Sequence, residues 1–100
     1  MTDLAATLTT LAAHVDRIGV THADIVSTYM TTDGVLSLHL REAVAAPFVA
    51  AHGDEAGHAV RDYTAPTGKT THHHRVPVTG TDGKVEITWV TDAVVAAQAA

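Results

Sequence analysis

Two Asp-Gly pairs, Asp33-Gly34 and Asp82-Gly83, each stand between runs of strand-forming residues, and they constrain this chain more than any other feature. Asp-Gly flanked by such runs is a strong short-range hairpin signal, because a type I′ turn needs positive φ at both central residues. Ile25–Thr32 and Val35–Arg41 form the arms of the first hairpin. Arg75–Thr81 and Lys84–Thr91 form those of the second. Register follows from which loop length puts apolar side chains together. In the second hairpin a two-residue loop sets Val78 opposite Ile87 and Val76 opposite Trp89. A three-residue loop would set them opposite Glu86 and Thr88, so the two-residue loop is expected. The same choice in the first hairpin pairs Tyr29 with Leu38 and Ser27 with Leu40, with Leu36, Leu38 and Leu40 towards the core.

Ahead of the hairpins, Leu4, Leu8, Leu11, Val15 and Ile18 recur at intervals of four and three, one apolar stripe along an α-helix. Thr2 or Asp3 suits its N-cap, and Gly19 suits the left-handed residue after its end. Between the hairpins, Val44, Phe48 and Ala51 make a short helical face ended by Gly53. Pro47 is tolerated if that helix begins near Ala43. His58–Thr64 reads as a strand, Ala65-Pro66-Thr67-Gly68 as a turn, and Lys69–Arg75 as the way into the second hairpin. Residues 92–100 are a short helix capped by Asp92 or a frayed tail.

The predicted order is α-β-β-α-β-β-β in one α+β domain over residues 1–100. Its sheet is mainly antiparallel, with four to five strands and helices on one face. The outer face then carries Thr28, Ser37, His39, Arg75, Glu86 and Thr88. One hundred residues leave no room for a second core.

Composition narrows the function classes. An apolar fraction of 46% excludes a disordered acidic tail, and no apolar run approaches the roughly 18 residues of a membrane span. There is no cysteine, hence no disulfide framework or thiolate metal site. Six Lys and Arg against eleven Asp and Glu argue against nucleic acid. The start, MTDLAATLTT, lacks the basic and apolar regions of a signal peptide, so a cytoplasmic location is expected. Abundant Ala, Thr and Val, with no Asn, two Lys and three Ile, follow GC-rich codon usage.

The helix ending in Gly19, the Asp-Gly hairpin, the segment AAPFVAAHG and the terminal VTGTDGKVEITWV hairpin together resemble small α+β proteins of actinobacteria, their phages and mobile elements. That group carries no assigned activity. The resemblance implies an accessory role in such an element or its host.

Eight histidines are the compositional anomaly, three of them consecutive at 72–74. On a strand His72 and His74 project to one face about 6.5–7 Å apart, a spacing that can supply two imidazoles to zinc or a similar metal. His58 or His52 would be the third ligand. His73 points the other way and, in the expected register, faces Asp92. If Ala65 pairs with Gly68, His73 also faces Val60 and lies diagonal to Asp62, so that two carboxylates would raise its pKa.

Enzyme signatures are missing: there is no G-x-S-x-G, Walker loop, G-x-G-x-x-G or H-E-x-x-H. APTGKTT lacks the first glycine of a phosphate loop and joins two strands. His39 lies two residues from Ser37 on a strand, a chance neighbour rather than a base for a nucleophile. Trp89 completes the core under the first helix. The expected function is therefore binding rather than catalysis. The partner is a protein or a second copy, bound through an exposed strand edge or an outer face bearing His39, His73, Arg75, Glu86 and Asp92. The alternative is a metal centre on His72, His74 and His58.

Overall fold

A computed structural model describes residues 4–92 of the chain. Helix α1 (Leu4–Ile18) leads into strands β1 (Ile25–Met30) and β2 (Leu36–Leu40). Helix α2 (Glu42–His52) follows, then β3 (Ala59–Thr64), β4 (Thr70–Pro77) and β5 (Val85–Asp92). The five strands make one sheet in the order β1-β2-β5-β4-β3. Every neighbouring pair is antiparallel except β2 and β5, which run parallel at the centre. This is the α+β architecture the sequence predicts. The short helix or frayed tail expected over residues 92–100 lies outside the described residues except for Asp92, which ends β5 instead of capping a helix, and the caps expected at Thr2 and Asp3 lie outside them too.

The core lies on one face of the sheet. Leu38, Leu40, Val76, Val85 and Ile87 point into it from the strands, and Leu11, Ile18, Ala45 and Val49 meet them from the helices. Each of these strand residues is at most 2% exposed. Burying a Val, Leu or Ile side chain stabilises by about 1.5–3 kcal/mol, so this layer dominates the fold. Helix α1 ends as expected, with Gly19 at φ 85° and its N–H on the Val15 carbonyl. Its stripe is only half used: Leu11 and Ile18 are buried, whereas Leu4 and Leu8 are 57% and 48% exposed.

Pro47 sits inside α2, just past the first turn. Gly53 closes that helix in an extended conformation, at φ −79°, rather than a left-handed one. It makes an isolated bridge to Val78, and a Cβ there would come within 2.9 Å of Val76 Cγ1.

The strand registers depart from expectation, each for an identifiable reason. In the first hairpin Gly34 has positive φ and Asp33 does not. Thr31 N–H bonds to Val35 and Gly34 N–H to Thr31, a three-residue loop with a glycine bulge. The slip by one residue puts Tyr29 opposite Ser37 and Thr28 opposite Leu38. Met30, not Tyr29, therefore packs on the core, and Tyr29 stays exposed. Thr28 moves to the helix-covered face, against the expectation that placed it outside. An irregularity between Ile25 and Ser27 returns Ile25 to a position opposite Leu40.

In the second hairpin Asp82 and Gly83 both have positive φ, and Lys84 N–H closes on Thr81 as a type I′ turn does. Thr79 and Gly80 nevertheless bulge out, so Val76 pairs with Ile87 and His74 with Trp89. The shift from the expected pairing is two residues, which preserves every face. Thr79 is drawn away because its N–H and hydroxyl both donate to the last carbonyl of α2, at His52. Buried Thr81 replaces the missing ladder, its hydroxyl donating to Val78 O and accepting from Val85 N–H. The loop after β3 runs through Pro66, Thr67 and Gly68, with Gly68 at φ 91° and Ala65 N–H on Lys69 rather than Gly68 paired with Ala65 across the ladder.

Candidate functional site

The face of the sheet opposite the helices is uncovered. A concavity of about 740 Å³ lies on it, lined by residues from all five strands and from no helix. Period-two alternation puts Ser27 and Tyr29 of β1, His39 of β2, Thr88 and Glu86 of β5, His73 and Arg75 of β4, and Arg61 and Tyr63 of β3 on this side. The two tyrosines stand on the two edge strands, 60% and 55% exposed. Strand β3 is exposed along its whole length.

Four of the five predicted binding residues meet here: His39, His73, Arg75 and Glu86. His39 Nδ1 and Thr88 Oγ1 share a hydrogen bond of 3.0 Å. Burial, and secondarily the charge of His73, hold the His39 pKa below the usual imidazole range. Glu86 is fixed from below. Its side chain is 17% exposed and accepts a 2.9 Å hydrogen bond from Ser37 Oγ, itself buried, while Arg75 Nε lies 3.9 Å from its other oxygen.

The fifth residue, Asp92, is not beside His73. It lies opposite Thr71 and pairs with Lys69 at 3.2 Å, because the shifted register sets His73 opposite Val90. His73 is also opposite Arg61 rather than Val60, so no pair of carboxylates flanks it. Its ring bonds to Thr71 Oγ1 and meets Tyr63 edge-on at 6.1 Å. Sequence reasoning missed Arg61. The signal was Gly68: a glycine bulge there puts Ala59, Arg61 and Tyr63 on the face of Arg75, His73 and Thr71.

The metal candidates occupy the other face. His72 and His74 project together as expected but engage different partners. His72 Nδ1 bonds Asp62 Oδ1, directly across the ladder. His74 stacks flat on Trp89, ring centres 4.8 Å apart, and its Nδ1 lies 3.1 Å from His58 Nε2. Its Nε2 bonds Thr91 Oγ1. Burial and then the neighbouring histidines, His58 first, hold the His74 pKa below the usual range. Trp89 is half-buried and packed against the core, with the rings of His74 and His58 on it rather than the first helix alone as its expected cover. Among the described residues no group of three His, Cys, Asp or Glu side chains is arranged to hold a metal ion. His52, the other candidate ligand, ends α2, where its carbonyl binds Thr79.

Fold and surface together define a small α+β module with helices on one side of its sheet and an open face on the other. No family model, curated protein or solved structure matches the chain. Among the described residues no helix is long and apolar enough to cross a membrane.

Proposed function

We propose that this protein is a binding module whose working surface is the open face of its sheet, and that its partner is a protein. The observation that carries the proposal is the concavity built by five strands and rimmed by exposed Tyr29 and Tyr63. Sheets with one uncovered face ordinarily show it as a polar, solvated surface. Exposed aromatic rings with polar groups between them are instead the composition of protein interfaces. The free edges of β1 and β3 offer main-chain groups to an added strand. Self-association through this same face is the simplest form of the function. The setting we propose is the cytoplasm, as an accessory protein of a bacterium or of its phage or mobile element.

Affinity capture from lysate, comparing the natural chain with a Tyr29→Ala, Tyr63→Ala variant, tests the proposal. Both side chains are exposed, so the variant should fold. A stoichiometric partner retained by the natural chain and lost by the variant is the expected result. Equal capture by both, or dimerisation unaffected by the change, would place the interface elsewhere.

A second proposal, a divalent metal held by His58 and His74 with His72, rests on the 3.1 Å approach of two ring nitrogens. Two ligands of a tetrahedral zinc with bonds of about 2.0 Å lie roughly 3.3 Å apart. His72 would have to leave Asp62 to join them. Stoichiometric metal in tag-free protein, lost on His72→Ala, would support it. Metal-free protein indifferent to a chelator would remove it.

A further inference from the structure

The charges gathered on the open face are mostly of one sign. Arg61 lies opposite His73 and Arg75 opposite Ala59, so the two guanidinium groups occupy diagonal positions on one side of β3 and β4. Like charges directly opposite on a sheet are destabilising, and a diagonal pair of them offers the fold no attraction. Arg75 has Glu86 at 3.9 Å, but Glu86 is already engaged by Ser37. No carboxylate lies within ion-pair distance of Arg61 among the described residues. His39 and His73 add two imidazoles, close enough that the charge of His73 helps to lower the pKa of His39. Among the described residues, Glu86 is the one acidic residue lining the concavity. Two arginines against one glutamate give the groove a formal charge of +1. The whole chain carries −5, which leaves −6 to the remaining residues. An acidic protein thus places two of its four arginines on a concave, uncovered surface, where one of them, Arg61, has no ion-pair partner among the described residues.

We infer that the open face takes an extended, acidic segment of another protein, its carboxylates bridging Arg61 and Arg75 and its backbone lying between Tyr29 and Tyr63. The inference rests on the proposal that this face binds a protein. Arginine favours such a ligand, since its planar fork accepts a carboxylate through two hydrogen bonds. The aromatic rims would serve single-stranded nucleic acid equally well, but two permanent cations would neutralise only about two phosphates. The surrounding charge of −6 would repel the rest of a polyanion, whereas a peptide can confine its acidic groups to the groove.

The test uses the isotope-labelled full chain and three probes. These are an alternating Glu-Thr peptide of about ten residues, long enough to cross the sheet, its Gln-Thr counterpart, and an oligothymidylate of similar length. The Glu-Thr peptide should shift the amide signals of His39, His73, Arg75 and Thr88 and bind about tenfold more tightly than Gln-Thr. An Arg61→Gln, Arg75→Gln variant should lose that preference, and Glu86→Gln should tighten Glu-Thr binding a few-fold. Equal affinity for both peptides overturns the inference while leaving the open-face proposal standing. Tighter binding of oligothymidylate on the same amides overturns it in favour of nucleic acid. Absence of any peptide shift at millimolar concentration also overturns it, and the capture experiment then decides the open-face proposal separately.

Discussion

Ser37→Ala isolates the contact that shapes the floor of the groove. Ser37 is 1% exposed and its hydroxyl donates to Glu86 Oε2 at 2.9 Å. Hydrogen bonds to charged groups contribute about 1.5–3 kcal/mol, roughly twice as much as neutral ones. Glu86 retains 17% exposure, so water can partly replace the lost donor and the lower end applies, about 1.5 kcal/mol. For a domain of this size 1 kcal/mol shifts Tm by about 4–8 °C, so the variant should melt roughly 6–12 °C lower. In a Glu86→Gln background the same serine change should cost about half as much, because the acceptor is then neutral. Thermal unfolding of the four proteins, followed by circular dichroism, gives the coupling directly. A Tm loss below about 2 °C, or equal losses in both backgrounds, would refute the argument that a charged acceptor is anchored there.

Three further outcomes follow from the same geometry. His39 and His74 both have folded pKa values below 6.5, so the unfolded chain binds more protons as pH falls through that value. Their stability contribution is present above pH 6.5 and declines below it. Urea midpoints should therefore fall between about pH 7.5 and about pH 5, and less steeply in His74→Gln; an unchanged slope would count against burial as the cause. Gly53→Ala would gain at most about 1 kcal/mol from a stiffer unfolded chain. Its Cβ, however, would meet Val49 O at 2.8 Å and buried Val76 Cγ1 at 2.9 Å, overpacking worth about 1–3 kcal/mol, so Tm should fall and a rise would contradict the close approach. Asp92→Asn removes only the exposed pair with Lys69 and should change stability by less than about 0.5 kcal/mol in chemical denaturation.

Elements were legible where the signal was local. The leucine stripe marks α1, and Gly34, Gly68 and Gly83 mark the three hairpin loops. Registers were less so, since a glycine with positive φ serves both a two-residue turn and a three-residue loop with a bulge. In the first hairpin the bulged loop goes with Met30 reaching the core; in the second the two-residue turn forms as expected, and Thr79, bound to the end of α2, shifts the ladder beyond it. The parallel pairing of β2 with β5 joins segments about fifty residues apart in sequence, such as Leu38 and Ile87, and no local pattern announces it. The site followed the same division. Alternation alone was enough to put His39, Arg75 and Glu86 on one face, because the second-hairpin error was an even number of residues. Asp92 was misplaced by that error and Arg61 was overlooked, since its position depends on how the Pro66 loop closes. The separation of His72 from the His58–His74 contact depends on cross-strand neighbours, Asp62 and Trp89, that spacing within β4 does not specify.

The most direct test of the open face is amide chemical-shift mapping of the labelled chain on titration with its captured partner, or on concentration if that partner is a second copy. Shifts concentrated at Ser27, Tyr29, His39, His73, Arg75 and Thr88, with α1 and α2 unmoved, are the predicted result. Shifts confined to the helices, around Leu8, Ala12 or Ala46, with the open face silent, would contradict it.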